Sequence, residues 1–391
     1  MTERTLEEVN EMLHMAKLSE ADILPVSQVL SFHSDYGEHT KYKLLELDDN
    51  LLKLIQEPSA RLYLKGEDDE DAVLCTQSMT YKIVDAETSN SLVLTRDLKF
   101  PQECKDTSQE RNLHKTFAHG IFYNYIEVNQ IKANLRKLRD LLSGTMYKGP
   151  EYEGLVNQNE LYTLQDLILK VQASEDEIKN ALLSLDYAII DGKVRMFDFE
   201  YHFRVLSYML KVVEENSWSV FNINVEETKE TLNDLVPLDV LNALCDQFVE
   251  EIVEDGIIRH AYNEPKVCSF FAKVILKNAG KFHLNDFLQA WSDSVPEGMR
   301  PKEEMLYGIA IIDRNANPNV IRSYSEDSLP DNILERLQQL FQVKEKWSVP
   351  EITPYIEPIT THKLDTNALL ARYARASTHN GVKYYSAKHA K

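Results

Sequence analysis

The densest group of reactive side chains is a run of five carboxylates, Glu67-Asp68-Asp69-Glu70-Asp71. Carboxylates of this kind bind a divalent cation or act as acid and base when suitably spaced ligands surround them. No His, Asn or Gly stands at calcium or zinc spacing around this run, which lies between two predicted strands. The sequence therefore favours a solvated hairpin tip over a metal site.

Nucleotide and redox motifs are missing as well. Gly144 and Gly149 have the first spacing of a phosphate-binding loop, but Pro150 and Glu151 stand where Lys and Ser or Thr are required. The chain has 12 glycines, and no two of them are separated by a single residue, which excludes GxGxxG. Its four cysteines lie at least 23 residues apart and form no CxxC pair. We expect reduced thiols and neither a metal, a cofactor nor catalytic activity.

Basic side chains form a local excess near the end of an acidic chain. The sequence holds 43 Lys and Arg against 63 Asp and Glu, a formal charge of −20, yet residues 361–391 carry six basic residues against Asp365 alone. An overall negative charge repels a phosphate backbone, whereas a local positive surface attracts it. The residues predicted to bind DNA are Arg372, Arg375, Lys383 and Lys388.

Helical spacing is the reason for this choice. Over a predicted helix from Asp365 to Ala376, an apolar set that includes Leu369 and Leu370 occupies one third of the circumference. Arg372 and Arg375, three residues apart, should then project together from the other side of the helix. Lys383 follows on a predicted strand, within reach of a neighbouring phosphate, and Lys388 contributes. No Asn or Gln accompanies the arginines, which favours contacts to the DNA backbone over base reading.

A second basic cluster, hereafter the basic cluster, follows the N-terminal strands. Its members, predicted to lie on one helix, are Lys132, Arg136, Lys137 and Arg139. Two interpretations stay open at this stage, a solvated helix face and a binding surface for an acidic partner or DNA.

The elements that carry these residues change in type along the chain. Residues 3–18 predict an amphipathic helix, after which short strand-like runs follow. These runs are Tyr42–Leu47, Arg61–Lys65, Ala72–Thr76, Thr80–Val84, Ser91–Thr95 and Ile121–Val128. So few short strands predict an incomplete sheet with exposed edges. We therefore expect another chain to complete the sheet.

From about residue 130 the apolar pattern is helical, and hairpin turns recur about every 63 residues. Turns at Asp191-Gly192, Asp255-Gly256, Asn315-Ala316-Asn317-Pro318 and Asn380-Gly381 each follow helical segments. Helices followed by a hairpin are the order of a winged helix. The sequence predicts an α+β chain: a strand half (1–127), a first unit (128–200), a second unit (201–263), a third unit (264–328), which is the least regular, and a last unit (329–391).

Several short stretches resemble one known family, the "defective in sister chromatid cohesion" (DSCC) proteins. They are Ala72-Val73-Leu74-Cys75, Thr80-Tyr81, Thr88-Ser89-Asn90, Tyr162-Thr163 through Leu185, Ser294-Val295-Pro296-Glu297-Gly298-Met299, Glu345-Lys346-Trp347 and Asn380-Gly381-Val382-Lys383. Their order and the total length match, so the resemblance covers nearly the whole chain.

The resemblance implies a non-catalytic subunit of an alternative replication factor C clamp loader, which acts on the sliding clamp PCNA in the nucleus. It implies that the strand half forms a shared β-barrel with a small chromosome transmission fidelity subunit and the large loader subunit. It implies a tandem array of three winged helices that binds single- and double-stranded DNA, whereas the four hairpin turns of this sequence predict up to four units. The barrel and the first unit engage the catalytic subunit of DNA polymerase epsilon.

A rival function from a different class is a winged-helix scaffold that binds protein only, as in proteasome-lid and initiation-factor assemblies. The overall charge favours this rival, because it repels DNA. The positive charge of residues 361–391 favours DNA binding. Since the sequence has no apolar run of about 20 residues and no signal peptide, we expect no membrane partner.

Overall fold

In the computed structural model, α-helices alternate with several small β-sheets. The structure describes residues 5–19, 26–34, 36, 42–68, 70–100, 112–254, 256–314, 316–360, 364–379 and 381–388. The first elements are α1 (Leu6–Met15), β1 (Val26–Phe32), α2 (Asp49–Ile55), β2 (Tyr63–Lys65), β3 (Val73–Cys75), β4 (Thr80–Thr95) and β5 (Asn112–Ile131). The chain divides into an N-terminal body, Met1–Ala60 with Lys82–Asn129, and a C-terminal body, Arg61–Tyr81 with Gln130–Lys391.

Helix α1 confirms the predicted N-terminal helix over residues 6–15. It begins with a capping box, in which the Thr5 hydroxyl accepts from the Glu8 amide and the Glu8 carboxylate accepts from the Thr5 amide, at 3.3 and 2.9 Å. None of its residues is buried, and Leu6 and Met15 are about four-fifths exposed. The helix therefore owes its local structure to its cap and sequence rather than to packing.

The N-terminal body contains the sheet order β1-β5-β4, with β1 parallel to β5 at an edge. Side chains alternate between the faces of a strand. On β5, Thr116, Ala118 and Phe122 are buried, whereas Phe117 and Tyr123 on the opposite face are exposed. One face of β5 is thus covered and the other carries apolar side chains in solvent.

Four of the predicted strands in the strand half were wrong in their bounds or their pairing. Runs 80–84 and 91–95 are parts of the single strand β4, and run 121–128 lies inside the longer β5. Run 42–47 makes only an isolated bridge, between Leu45 and Ile126. The errors have one cause: strand length is decided by pairing with distant neighbours, which the pattern of a single strand does not contain.

The β2–β3 hairpin belongs to the C-terminal body and is fastened to the first unit by polar contacts. The Lys65 ammonium donates to the carbonyl oxygens of Ile168, Val171 and Ala173, at 2.6, 3.3 and 2.5 Å. Burial lowers the pKa of Lys65. This lysine satisfies carbonyl groups where a helix ends, which are otherwise without an intrahelical partner.

The helices and hairpins of the C-terminal body follow the predicted sequence of elements. They are α3 (Arg136–Ser143), α4 (Leu164–Lys170), α5 (Glu175–Ser184), β6 (Tyr187–Ile190), β7 (Lys193–Met196), α6 (Phe199–Glu215), α7 (Val225–Leu232), α8 (Leu238–Phe248), β8 (Val249–Glu254), β9 (Ile257–Tyr262), α9 (Glu264–Ala279), β10 (Lys281–His283), α10 (Leu284–Ser294), β11 (Ala310–Asp313), β12 (Val320–Ser323), α11 (Ile333–Val343), β13 (Trp347–Ser348), α12 (Val349–Ile356), α13 (Thr366–Tyr373), β14 (Ala374–His379) and β15 (Val382–Ala387). Three helices precede a hairpin in the first, second and last units. In the third unit a 3₁₀ helix, Glu303–Leu306, stands in place of the third α-helix.

Local signals explain where several of these elements begin and turn. Thr163 and Ser174 are N-caps with complete capping boxes at the starts of α4 and α5. Gly192 and Gly381 turn their hairpins at φ of +75° and +78°, with no atom within 4 Å of an added Cβ. These turns therefore require glycine for its backbone conformation and not for lack of space.

Buried apolar residues in the described chain form three core clusters, all within the C-terminal body. One joins residues 133–194 of the first unit, and another joins residues 311–385 of the third and last units. The largest runs from residue 147 to 321 and is shared by the first, second and third units. The third unit thus shares its core with the two units before it, in agreement with its shorter set of helices.

His202 is a titratable side chain that is buried beside this large cluster. Its ring packs between Phe197, Phe248 and Phe270, and its Nδ1 lies 4.0 Å from a carboxylate oxygen of Asp186. Burial lowers the pKa of His202 from 6.5 to about 4, against the opposing pull of Asp186. The side chain is therefore held neutral in the fold.

We expect His202 to make the fold sensitive to acid. The unfolded chain takes up a proton at this site below pH 6.5, and the folded chain does so only near pH 4, so stability is complete above 6.5 and is lost as pH falls. The loss between pH 7 and pH 4.5 amounts to about 2–3 kcal/mol. Denaturant unfolding at both pH values measures it, and His202→Phe should reduce the difference by that amount. Equal pH dependence in both proteins would contradict the expectation.

Candidate nucleic-acid interface

The predicted DNA-binding residues lie on α13 and the hairpin that follows it. Asp365 caps α13 by accepting from the Ala368 amide at 2.7 Å, and Leu369 and Leu370 are fully buried, as predicted. The helix ends at Tyr373, earlier than the predicted end at Ala376. Residues 374–379 pair with β15 instead, because cross-strand pairing overrides the helix propensity of alanine.

Arg375 therefore lies on strand β14, which corrects its predicted place beside Arg372 on the helix. In the antiparallel hairpin Arg375 faces Ser386, and Thr378 faces Lys383. Directly opposite residues share a face, and positions an odd number apart along one strand occupy opposite faces. Arg375 and Lys383 consequently extend from opposite faces of the hairpin.

Three of the four predicted side chains, those of Arg372, Lys383 and Lys388, have a defined neighbour. The Arg372 guanidinium lies 5.4 Å from the centre of the Tyr373 ring, and the Lys383 ammonium lies 5.1 Å from that of Tyr385. The Lys388 ammonium donates to the Arg372 carbonyl oxygen at 3.0 Å.

The charges of this surface are not neutralised locally. Arg372, Arg375 and Lys383 are exposed and form no ion pair with any carboxylate of the described residues. Two further basic residues of the C-terminal stretch, Lys363 and Lys391, lie outside the residues that the structure describes. An exposed cationic surface of this kind attracts a polyanion.

Polar groups on the Arg375 face of the hairpin were not predicted from the sequence. Ser377 and His379 alternate with Arg375 along β14, and both are exposed. Hydroxyl and imidazole groups are common donors to phosphate oxygens. The sequence did contain a signal for strand β14, because residues 374–379 precede an Asn380-Gly381 turn, which typically joins two strands.

The basic cluster is divided between a helix and the chain before it. Arg136, Lys137 and Arg139 lie on α3, but Lys132 precedes this helix, so the prediction of one shared helix was wrong for Lys132. The cause is β5, which continues to Ile131 and delays the helix start to residue 136.

All four residues of the basic cluster contact groups of this same chain. Lys137 binds Glu67 and Glu70 of the carboxylate run at 3.1 and 2.8 Å, and the hydrogen bond to Glu70 raises the pKa of Lys137. The run is therefore partly paired, while its Asp69 lies outside the described residues. Lys132, Arg136 and Arg139 contact residues 327–357. Whether this cluster also binds a partner remains a prediction.

Candidate metal-ligating side chains are dispersed among the residues that the structure describes. No group of three or more His, Cys, Asp and Glu side chains within them is arranged to hold a metal ion. In the same residues, no helix is both long and apolar enough to cross a membrane. The described cysteines, Cys75, Cys245 and Cys268, are buried free thiols, and Cys104 lies outside the description.

Comparison with known proteins identifies the family of the chain. The family model described as "Sister chromatid cohesion protein Dcc1" matches residues 42–356. The chain is 36% identical over 392 residues to the sister chromatid cohesion protein DCC1 of Danio rerio, and 33% identical over 388 residues to that of Homo sapiens. Each alignment covers 98% of this chain and 98% of the relative.

A more distant relative also matches most of the chain. The chain is 27% identical over 380 residues to the probable DCC1 protein of Dictyostelium discoideum, with 90% of this chain and 95% of the relative covered. The matches to the animal proteins run along almost the whole chain, through strand half, helical units and hairpins alike. The chain therefore belongs to the Dcc1 family of sister chromatid cohesion proteins.

Proposed function

We propose that the chain is a non-catalytic subunit of an alternative replication factor C clamp loader that acts on PCNA in the nucleus. In this role it links the loader to DNA and to DNA polymerase epsilon during replication and sister chromatid cohesion. ATP hydrolysis then belongs to other subunits, in accord with a sequence that lacks a phosphate-binding loop.

The observation that carries this proposal is the exposed apolar surface of the strand half. On the edge strand β1, Val29, Leu30 and Phe32 are 45, 52 and 65% exposed, although they occupy both faces of the strand. None of the three core clusters includes a described residue of the N-terminal body. An apolar edge strand of this kind is a template for pairing with another chain.

This surface supports assembly with two partners. We assign it to the small chromosome transmission fidelity subunit and the large loader subunit, whose strands would complete the open sheet as a barrel. The strand half and the first unit together would receive the catalytic subunit of the polymerase. PCNA is reached indirectly, through the assembled loader.

The last unit is the proposed DNA-binding part of an array of winged helices. In support, three helices precede a hairpin in the first, second and last units, the order typical of this fold. Residues 329–391 carry nine basic against six acidic residues, in contrast to the charge of −20 for the whole chain. Backbone contacts without strong sequence preference follow from arginine and lysine side chains that are not accompanied by Asn or Gln.

Purification of the chain from its own cells tests the assembly directly. A tag at the C-terminus and mass spectrometry of stable partners should recover clamp-loader subunits. A second purification with Leu30→Asp and Phe32→Asp should lose them, whereas Leu155→Asp, an exposed apolar site in the first unit, serves as the control. Recovery of proteasome-lid or initiation-factor subunits instead would replace the proposal.

DNA binding is expected to depend on salt through the last unit. Each neutralised phosphate contributes about −0.9 to the log-log salt slope on duplex DNA. Replacing Arg372, Arg375 and Lys383 with Ala should therefore flatten the slope by about two to three units. Titrations of the full chain with duplex and single-stranded DNA over a salt series measure this change.

A charge-matched variant separates local contacts from net charge. Lys179, Lys211 and Lys277 are exposed in other units and pair with nearby carboxylates. Their combined replacement with Ala changes the net charge equally and should leave the slope within about half a unit of wild type. Equal slopes for wild type and the first triple variant would show that α13 and its hairpin are not the DNA site.

A further inference from the structure

The segment that joins the third unit to the last one, residues 324–332, is held by side chains from outside it. This connector runs from the end of β12 to the start of α11 and contains the short 3₁₀ helix Glu326–Ser328. It is the covalent link between two units that also share the core cluster of residues 311–385.

Two arginines of α3 bind this connector. Arg136 donates to the Leu329 carbonyl oxygen at 2.9 Å and pairs with Asp331 at 3.2 Å. Arg139 pairs with Asp327. The first unit thus contacts the chain about 190 residues further on, through three charged or polar groups of the connector.

A third arginine holds the connector from the side of the last unit. Arg336 is 1% exposed and donates to the carbonyl oxygens of Pro330 and Leu329, at 2.6 and 3.2 Å, and to Glu326 at 2.7 Å. The Leu329 carbonyl oxygen therefore accepts from Arg136 and Arg336 together. The Arg336 side chain is buried, and the Arg136 side chain is about half exposed.

The contacts between α3 and the connector described above are ion pairs and a hydrogen bond. The core cluster of residues 133–194 and the core cluster of residues 311–385 share no buried residue. Side chains of the two α3 pairs are 41–56% exposed. Exposed pairs are weak and screened by salt, whereas each core is closed without them.

We propose that Arg136 and Arg139 form a reversible electrostatic latch, which fastens the connector to the first unit. With the latch closed, the connector is fixed by α3 and by Arg336. With it open, the buried Arg336 contacts keep the connector attached to the last unit, whose packing against the third unit is maintained by the core cluster of residues 311–385. The latch concerns the chain alone and does not depend on DNA binding.

Lys132 reinforces the latch at a second point. Its ammonium donates to the Glu357 carbonyl oxygen at 2.8 Å, between α12 and α13. Half burial lowers the pKa of Lys132. The basic cluster therefore spans both the connector and the segment that leads to α13, while Lys137 holds the β2–β3 hairpin on the other side of the same helix.

Hydrogen exchange of the full chain tests the latch. In low salt, Arg136→Gln with Arg139→Gln should accelerate amide exchange about tenfold in residues 324–331, with unchanged exchange in α4, α5 and α12. In wild type, raising the salt from about 50 to 500 mM should accelerate the same amides, while the variant should respond little. Unchanged exchange in the connector, or loss of protection throughout the first and last units, would overturn the proposal.

Charge exchange provides the specific control. Arg139→Asp should open the connector, and adding Asp327→Arg should restore its protection, because the pair is rebuilt with reversed sign. Lys179→Gln breaks an exposed pair on α5 of the same unit and should leave the connector unchanged. A double exchange that fails to restore protection would show that these arginines do not act through a latch.

Discussion

Replacing Arg336 with Met should destabilise the last unit by about 3–5 kcal/mol, the cost of breaking a buried ion pair by removing one partner. The guanidinium is 1% exposed and also donates to the Tyr355 carbonyl oxygen at 2.8 Å. Met fills much of the same volume, so the loss arises from the carboxylate of Glu326 and the carbonyl groups that are left without a donor. Hydrogen exchange of α11 and α12 in a urea series measures the loss.

Arg314 supplies a matched control for Arg336. It binds both carboxylate oxygens of Glu303, at 2.7 and 2.6 Å, but it is 56% exposed. Exposed pairs contribute about 0–1 kcal/mol even with good geometry. Arg314→Met should therefore be nearly neutral, and equal losses for the two variants would refute the role assigned to burial.

Local signals were sufficient to predict many of the element starts and turns. Thr163 and Ser174 cap their helices because Asp or Glu stands three residues later, a relation contained in four consecutive residues. The turn at Gly192 is likewise decided by the residues that need a positive φ. These features follow from neighbours along the chain, so a single sequence contains them.

The burial of two arginines could not be predicted from the sequence. Arg195 on β7 and Arg336 on α11 are both 1% exposed, and each satisfies a carboxylate together with backbone carbonyl oxygens. Arginine is mostly found exposed, so composition and periodicity place it on the surface by default. Its burial depends on acceptors such as Glu153, which lies 42 residues away along the chain.

The location of the candidate DNA site stays a prediction, and the structure corrects its geometry. Charge counting identified residues 361–391, and the core positions Leu369 and Leu370 were correct. The side on which Arg375 lies depends on where α13 gives way to β14, and that point is set by pairing with β15. A shift of one residue in a strand moves a side chain to the other face. The arrangement of the basic side chains on α13 and its hairpin could therefore not be predicted from the sequence.

Residues 1–129, expressed alone, should fail to form a stable monomer. Within the described part of the N-terminal body, the buried apolar side chains are Leu51, Ala118 and Phe122. So small a core leaves the sheet without a second layer, and the edge strand β1 exposes apolar groups to other molecules. The fragment should aggregate and give a collapsed, poorly dispersed NMR spectrum.

The complementary fragment, residues 130–391, is the control for the behaviour of residues 1–129. It contains every residue of the three core clusters and should unfold cooperatively, although it loses the Lys65 contacts to residues 168–173. If the exposed strand surface is an interface, co-expression with the small loader subunit should make residues 1–129 soluble, whereas an unrelated protein should not. A dispersed monomeric spectrum of residues 1–129 alone would mean that this fragment, in which residues 61–81 add Val73, Leu74, Cys75 and Tyr81, forms a sufficient core by itself, and the surface on β1 would then need no partner.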